Sequence, residues 1–276
     1  MFALRPLKLG ILNGTFSRLR GIAPAAAVCL ALASCTPTFT PTERAASADK
    51  TVGWLVQRYG VVSDPQLEPM ITRVTGRLAS AVYRSALETQ IPQAEAEKFA
   101  GYRWELIVLD TNAPNAFSAG AGRIVITRGL ITSLRNESEL AAIIAHEMSH
   151  EILGHNTEAL VRAAADQAEN ENTGGDIDPK SAPPAPLYAF TPQYEVDADT
   201  LGVMILSVAR YNTTSALYAL TLGYRNGQRS VDENQAEWAR YRTARLKQMV
   251  DQVGERQPAT VSTREFNKVR WDLGGG

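Results

Sequence analysis

The chain contains three histidines, and all of them lie within one ten-residue stretch, HEMSHEILGH, from His146 to His155. Its first five residues have the form His-Glu-x-x-His. Residues four apart on a helix share a face, so His146 and His150 can reach one ion. Zinc accepts neutral imidazole nitrogens in a tetrahedral shell and leaves room for a further protein ligand and for solvent. Glu147 then stands beside the ion, where its carboxylate can take a proton from water. The pattern constrains the fold. The stretch is expected on a buried helix, and a third protein ligand must come from somewhere else in the chain.

Two sources of that ligand are open. His155 is near in sequence, but it lies nine residues after His146 and five after His150. That spacing turns it to another face unless the chain bends at Gly154. The metzincin pattern places its glycine and final histidine at other offsets. The plain reading of His155 is a capping or surface histidine at a helix C-terminus. The other source is YEVDADTLGV, where Glu195 and Asp199 are four apart and share a face. One can bind the ion while the other accepts the second ring N–H of a ligating histidine. Asp197 reads as a solvated acid near the helix start. A metzincin-like site would lose metal in His155→Ala and keep it in Glu195→Ala; a carboxylate ligand reverses that outcome.

The rest of the chain is consistent with one sizeable domain. Of its 276 residues, 45% are apolar and 21% charged, enough for a packed core. A net charge of −1 and the lack of a basic stripe argue against a nucleic-acid partner. Asp64-Pro65 starts a long amphipathic helix through Leu67, Met70, Val74, Leu78 and Val82. Residues Tyr102 to Asp110 and Gly120 to Gly129 read as two strands of a small sheet, the second behind a glycine turn. Asn136 and Glu139 resemble a capping box at the head of the histidine helix, with Gly154 as its terminator. Further helices are expected over Tyr194 to Ala209, Thr213 to Tyr224 and Asp232 to Val253. The fold class is therefore α+β and predominantly helical. Residues 167–192, polar and then proline-rich, read as a surface loop.

The two cysteines, Cys29 and Cys35, precede this body. Arg5, Lys8, Arg18 and Arg20 form a basic leader to an apolar run too short for a comfortable membrane span. The run ends in Leu32-Ala33-Ser34-Cys35, which resembles a bacterial lipobox. Residues 1–34 are then a signal peptide, and 35–50 a tether to a lipid bilayer through acylated Cys35. Residues 51–270 are expected to form the folded domain and 271–276 a disordered tail. Thr36, where an inner-membrane retention signal would carry Asp, favours a lipoprotein of the outer membrane facing the periplasm.

From about Asn115 to Tyr224 the chain resembles the HtpX-type zinc metalloendopeptidases, gluzincins that include the CaaX prenyl proteases. NAFSAGAGRIVITRGLI, NESELAAIIAHEMSHEILGH and EVDADTLGV carry the likeness, in the family's order. With its lipobox the chain is similar to the periplasmic lipoprotein branch. The resemblance implies one Zn²⁺ per chain held by His146, His150 and Glu195, with Glu147 as general base and Asp199 orienting an imidazole. It also implies that Gly122, Arg123, Ile124, Val125 and Ile126 form an edge strand over the active-site helix, on which a substrate peptide pairs. The implied activity is endoproteolysis of unfolded or misassembled envelope polypeptides. The competing reading is a zinc-binding lipoprotein chaperone or outer-membrane assembly factor with little proteolysis. One departure stands out: BepA-like members carry a late histidine that can approach the zinc, and Arg264 stands there instead. Arg270, at the matching arginine position, is a candidate to stabilise the oxyanion.

Overall fold

The computed structural model describes residues 38–88, 102–163, 190–222, 233–254 and 263–275. The expected signal peptide, Cys35 and most of the 167–192 loop lie outside them.

Helix α1 (Pro41–Tyr59) begins inside the expected tether. Thr40-Pro41-Thr42-Glu43 is a full capping box: the Thr40 hydroxyl accepts from the Glu43 N–H, and the Glu43 carboxylate accepts from the Thr40 N–H at 2.7 Å. The tether reading of 35–50 is corrected accordingly, because Ala48 is already buried. Helix α2 (Leu67–Glu88) follows Asp64, whose Oδ1 accepts from the N–H groups of Gln66 and Leu67. Its apolar residues Leu67, Met70, Val74, Leu78 and Val82 are buried, as the helical spacing requires.

Three strands come next: β1 (Glu105–Leu109), β2 (Ala116–Gly120) and β3 (Arg123–Thr127). The sheet order is β1-β3-β2, with β1 parallel and β2 antiparallel to β3. Strand β3 is therefore central. Residues Arg123 to Ile126 are hydrogen-bonded on both sides, and Gly122 closes the turn before them, so none of the expected substrate-strand residues lies on an edge. The edge beside the histidine helix is β2, joined to β3 through Gly120, Ala121 and Gly122, all at positive φ. A Cβ on Gly122 would sit 2.7 Å from the Arg103 carbonyl, so glycine is required there.

Alternation along the strands separates two layers. Ile107, Leu109, Ala119 and Val125 pack with Leu55 of α1, while Val108, Ile124 and Ile126 face the main helical core. That core is built around α4 (Glu137–Ile152), which follows the short α3 (Arg128–Ser133). Every residue of α4 from Glu137 to His150 is buried. A helix buried on nearly all sides must find partners inside for its polar groups. At its start Asn136 Oδ1 caps the Glu139 N–H, but the Glu139 carboxylate turns to the Arg135 N–H and guanidinium, so the expected box is half formed.

Helix α5 (Pro192–Val208) packs lengthwise on α4, with α6 (Ser215–Ala219) and α7 (Glu233–Val253) behind it. The approach of α5 to α4 is set by Gly202, where an added Cβ would lie 3.2 Å from the His146 nitrogen. The last helix, α8 (Thr263–Asp272), buries Phe266 and Val269. The expected tail at 271–276 is ordered through Gly275. Leu273 is buried, the Gly275 N–H reaches the Arg270 carbonyl at 2.8 Å, and Arg128 Nη1 reaches the Leu273 carbonyl at 3.2 Å. No helix among the described residues is long and apolar enough to cross a membrane.

Candidate metal centre

Helices α4 and α5 face each other across the site. His146 and His150, one turn apart on α4, converge with their Nε2 atoms 3.1 Å apart. Glu195, in the first turn of α5, brings Oε2 to 3.5 Å from His146 Nε2 and Oε1 to 3.7 Å from His150 Nε2. One donor atom from each of the three residues lies within 4.8 Å of the others. Two imidazole lone pairs and a carboxylate converging in a buried place repel one another unless a cation or proton lies between them. Zinc bound at 2.0–2.1 Å in a tetrahedron separates its ligand atoms by about 3.3 Å, close to the spacings found, so the donor set fits zinc.

Glu147 is buried beside this cluster, and the Ser118 N–H of β2 points at its carboxylate. Burial raises its pKa, and the charge of His146 and the Ser118 N–H only partly oppose this, leaving it at about 7. A carboxylate so tuned can accept and return a proton near neutral pH. In the metal-free protein burial would lower His146, but Asp199 and Glu195 outweigh it and raise it to about 10. His150 moves down to about 2, through burial and then the neighbouring charge of His146. Glu195, despite burial, is lowered to about 2 by its hydrogen bond to His146 and the surrounding cations.

Asp199, one turn after Glu195, puts Oδ1 3.0 Å from His146 Nδ1, an ion-pair contact somewhat off the line of an ideal N–H···O bond. The sequence pairing of Glu195 with Asp199 thus becomes two adjacent carboxylates on the two sides of the His146 ring. Both are held by Arg242 of α7, which sequence reasoning missed. Its Nε and Nη2 grip Asp199 at 2.7 and 2.9 Å, and its Nη1 reaches Glu195 Oε2 at 2.9 Å. The surrounding run, EWARYRTARLKQ, carries three arginines and gives no sign of which one turns inward. Burial at helical spacing with Leu246 and Met249 is the only signal it offers.

Two expectations need correction. Arg270 sits at the far end of α8, and its Nη1 donates to the Leu134 carbonyl at 3.5 Å. Its side chain packs under Gly275 beside Thr132, away from the donor cluster, because α8 docks on α2 and α3. It cannot stabilise an oxyanion from there. His155 is neither at the surface nor in the ligand set. Gly154 adopts φ +78°, the chain turns back, and helical residues 155–163 begin with a buried His155 ring against His150.

A buried His-Glu-x-x-His helix completed by a carboxylate from a second helix defines a metallopeptidase-type domain. Residues 75–172 match the model of Peptidase family M48. Among curated proteins the chain is similar to the mitochondrial metalloendopeptidase OMA1 of Schizosaccharomyces pombe, 29% identical over 41% of this chain and 36% of that protein. It is also similar to the beta-barrel assembly-enhancing protease of Escherichia coli O157:H7, 25% identical over 50% of this chain and 30% of that protein. A protease HtpX homolog of Acidiphilium cryptum is 31% identical over 38% and 34%. The chain thus spans about a third of the length of these relatives. The family match ends before Glu195, and the geometry brings that carboxylate to the histidines.

Proposed function

We propose that this protein is a zinc-dependent endopeptidase of the bacterial cell envelope, tethered by a lipidated Cys35 and facing the periplasm, that cleaves unfolded or misassembled envelope polypeptides. The observation that carries the enzymatic part is the convergence of His146, His150 and Glu195 with Glu147 buried alongside. These three would hold Zn²⁺, which when bound acts as a Lewis acid toward water and a peptide carbonyl.

The chain's own groups do the rest. Glu147 takes a proton from the attacking water on a carboxylate oxygen and later delivers it to the nitrogen of the leaving amine. Asp199 and Arg242 fix the His146 ring and the Glu195 carboxylate, so the ligands do not reorganise during the reaction. Among the described residues β2 is the sheet edge beside α4, and backbone pairing of an extended peptide along it would demand little of the substrate's sequence. That tolerance suits a protease of misfolded chains. The envelope setting is supported by the basic leader, the short apolar run and Leu32-Ala33-Ser34-Cys35, and by a relative named for β-barrel assembly.

Unfolded casein incubated with zinc-loaded wild type and Glu147→Gln tests the activity. Cleavage by wild type and loss of about 10²-fold or more in the variant, at equal metal content, is expected. Silence of both, with client binding intact, would instead favour a zinc-binding assembly factor. Metabolic labelling with palmitate, compared with Cys35→Ala, tests the anchor.

A further inference from the structure

His155 is the one histidine the metal site leaves unused, and its placement is specific. Its Nδ1 lies 3.0 Å from Nδ1 of His150. The ring is 4% exposed and stacks on Tyr194 at 4.2 Å between centroids with 4° between planes. The His150 ring stacks in turn on Phe190 at 3.9 Å. Gly154 makes this possible, since its left-handed backbone lets the chain reverse and return the ring to the helix it has just left.

The two nitrogens of His150 therefore have different neighbours. Nε2 faces His146 and Glu195, and Nδ1 faces His155. A neutral imidazole that offers Nε2 as a lone-pair donor carries its proton on Nδ1. That proton points at His155 Nδ1, which must accept it, so His155 holds its own proton on Nε2.

We propose that His155 is a positioning residue for the metal centre, fixing the tautomer and ring plane of His150 so that its Nε2 lone pair faces the ion. The inference rests on reading His146, His150 and Glu195 as the metal ligands. His155 does for His150 what Asp199 does for His146, with one difference. The acceptor is an uncharged ring instead of a third buried carboxylate beside Glu195 and Asp199, for which Arg242 is already the shared counter-charge. Tyr194 sets the ring plane of His155, so the first turn of α5 supplies both a ligand and the brace for the opposite one.

The test uses the full chain with Zn²⁺ alone as the probe. His155→Phe keeps a ring to stack on Tyr194 and removes the acceptor; His155→Gln retains an acceptor. Zinc affinity is measured by chelator competition, metal-free stability by thermal unfolding, and the His150 tautomer by ¹⁵N-resolved imidazole NMR. His155→Phe should bind Zn²⁺ about 10- to 100-fold more weakly, with the metal-free melting temperature little changed and the Nδ1–H tautomer of His150 no longer dominant. His155→Gln should recover most of the affinity. Unchanged affinity and tautomer in His155→Phe would overturn the proposal, as would equal losses in both variants that track a fall in melting temperature. If Glu195→Ala also left zinc affinity unchanged, the metal-site reading itself would fail. Loss in Glu195→Ala with none in His155→Phe would sink this inference alone.

Discussion

Arg242 grips both carboxylate oxygens of Asp199, Nε to Oδ2 at 2.7 Å and Nη2 to Oδ1 at 2.9 Å, and so ties α7 to the pair of helices that carry the candidate metal ligands. The pair is buried, which makes it expensive to break. Arg242→Met would leave Asp199 as a buried carboxylate with one partner fewer, a change that costs about 3–5 kcal/mol. Denaturant unfolding of the metal-free protein should show that loss. Arg242→Lys should not restore it, since an ammonium cannot make the two-point contact.

Gly202 controls how closely α5 approaches α4. In Gly202→Ala the new methyl would meet the His146 backbone nitrogen at 3.2 Å and its Cα at 3.3 Å. Buried helix backbone yields little, so about 1–3 kcal/mol of destabilisation is expected. Because the contact is at His146 itself, zinc affinity should fall as well. A calorimetric titration beside a melting curve would separate the two effects.

Metal and proton compete at His146. Its pKa in the metal-free protein is about 10, against an ordinary value of 6.5. Zinc requires the neutral donor, so binding releases a proton below about pH 10 and apparent affinity should rise with pH toward that value. The same shift gives the metal-free fold stability that is fully present below pH 6.5 and lost as pH rises through 10. Titrations in two buffers of different ionisation enthalpy would count the proton released near neutral pH. No release would contradict the charge assigned to His146.

The position of β2 depends on Asn156, whose Nδ2 donates to Ser118 Oγ at 2.7 Å and to Glu151 Oε2 at 2.9 Å. Glu151 in turn accepts from the Tyr102 hydroxyl. Asn156→Ala should loosen β2, the strand proposed to pair with substrate, without touching the ligands. A raised KM for casein-derived peptides with metal content unchanged is the expected result; a fall in metal content would show that the network serves the ion instead.

The legible parts of this fold were those with local period. The apolar spacing of α2, the His-Glu-x-x-His helix and the four-residue step from Glu195 to Asp199 are all short-range patterns, and the chain folds them as α2, α4 and α5. What escaped depends on distant partners. Whether β3 is central or an edge is decided by β1 and β2 on its two sides, not by its own five residues. Strand β2, AFSAG, has Phe117 as its one strong strand former and so does not announce itself. Arg242 and Arg270 are equivalent as letters; docking of α7 on α5 buries one at the site, while docking of α8 on α2 and α3 holds the other away from it. The inward turn of His155 rests on a left-handed Gly154, whereas a glycine in sequence says only that the helix can end.

The central claim is that Glu195, outside the helix that carries His146 and His150, completes the site. Zinc content measured on wild type and Glu195→Ala, purified alike and dialysed against a weak chelator, tests it most directly. About one zinc per chain in wild type and essentially none in a Glu195→Ala protein that retains its helical spectrum is the expected result. A full complement of zinc in that variant would contradict the claim.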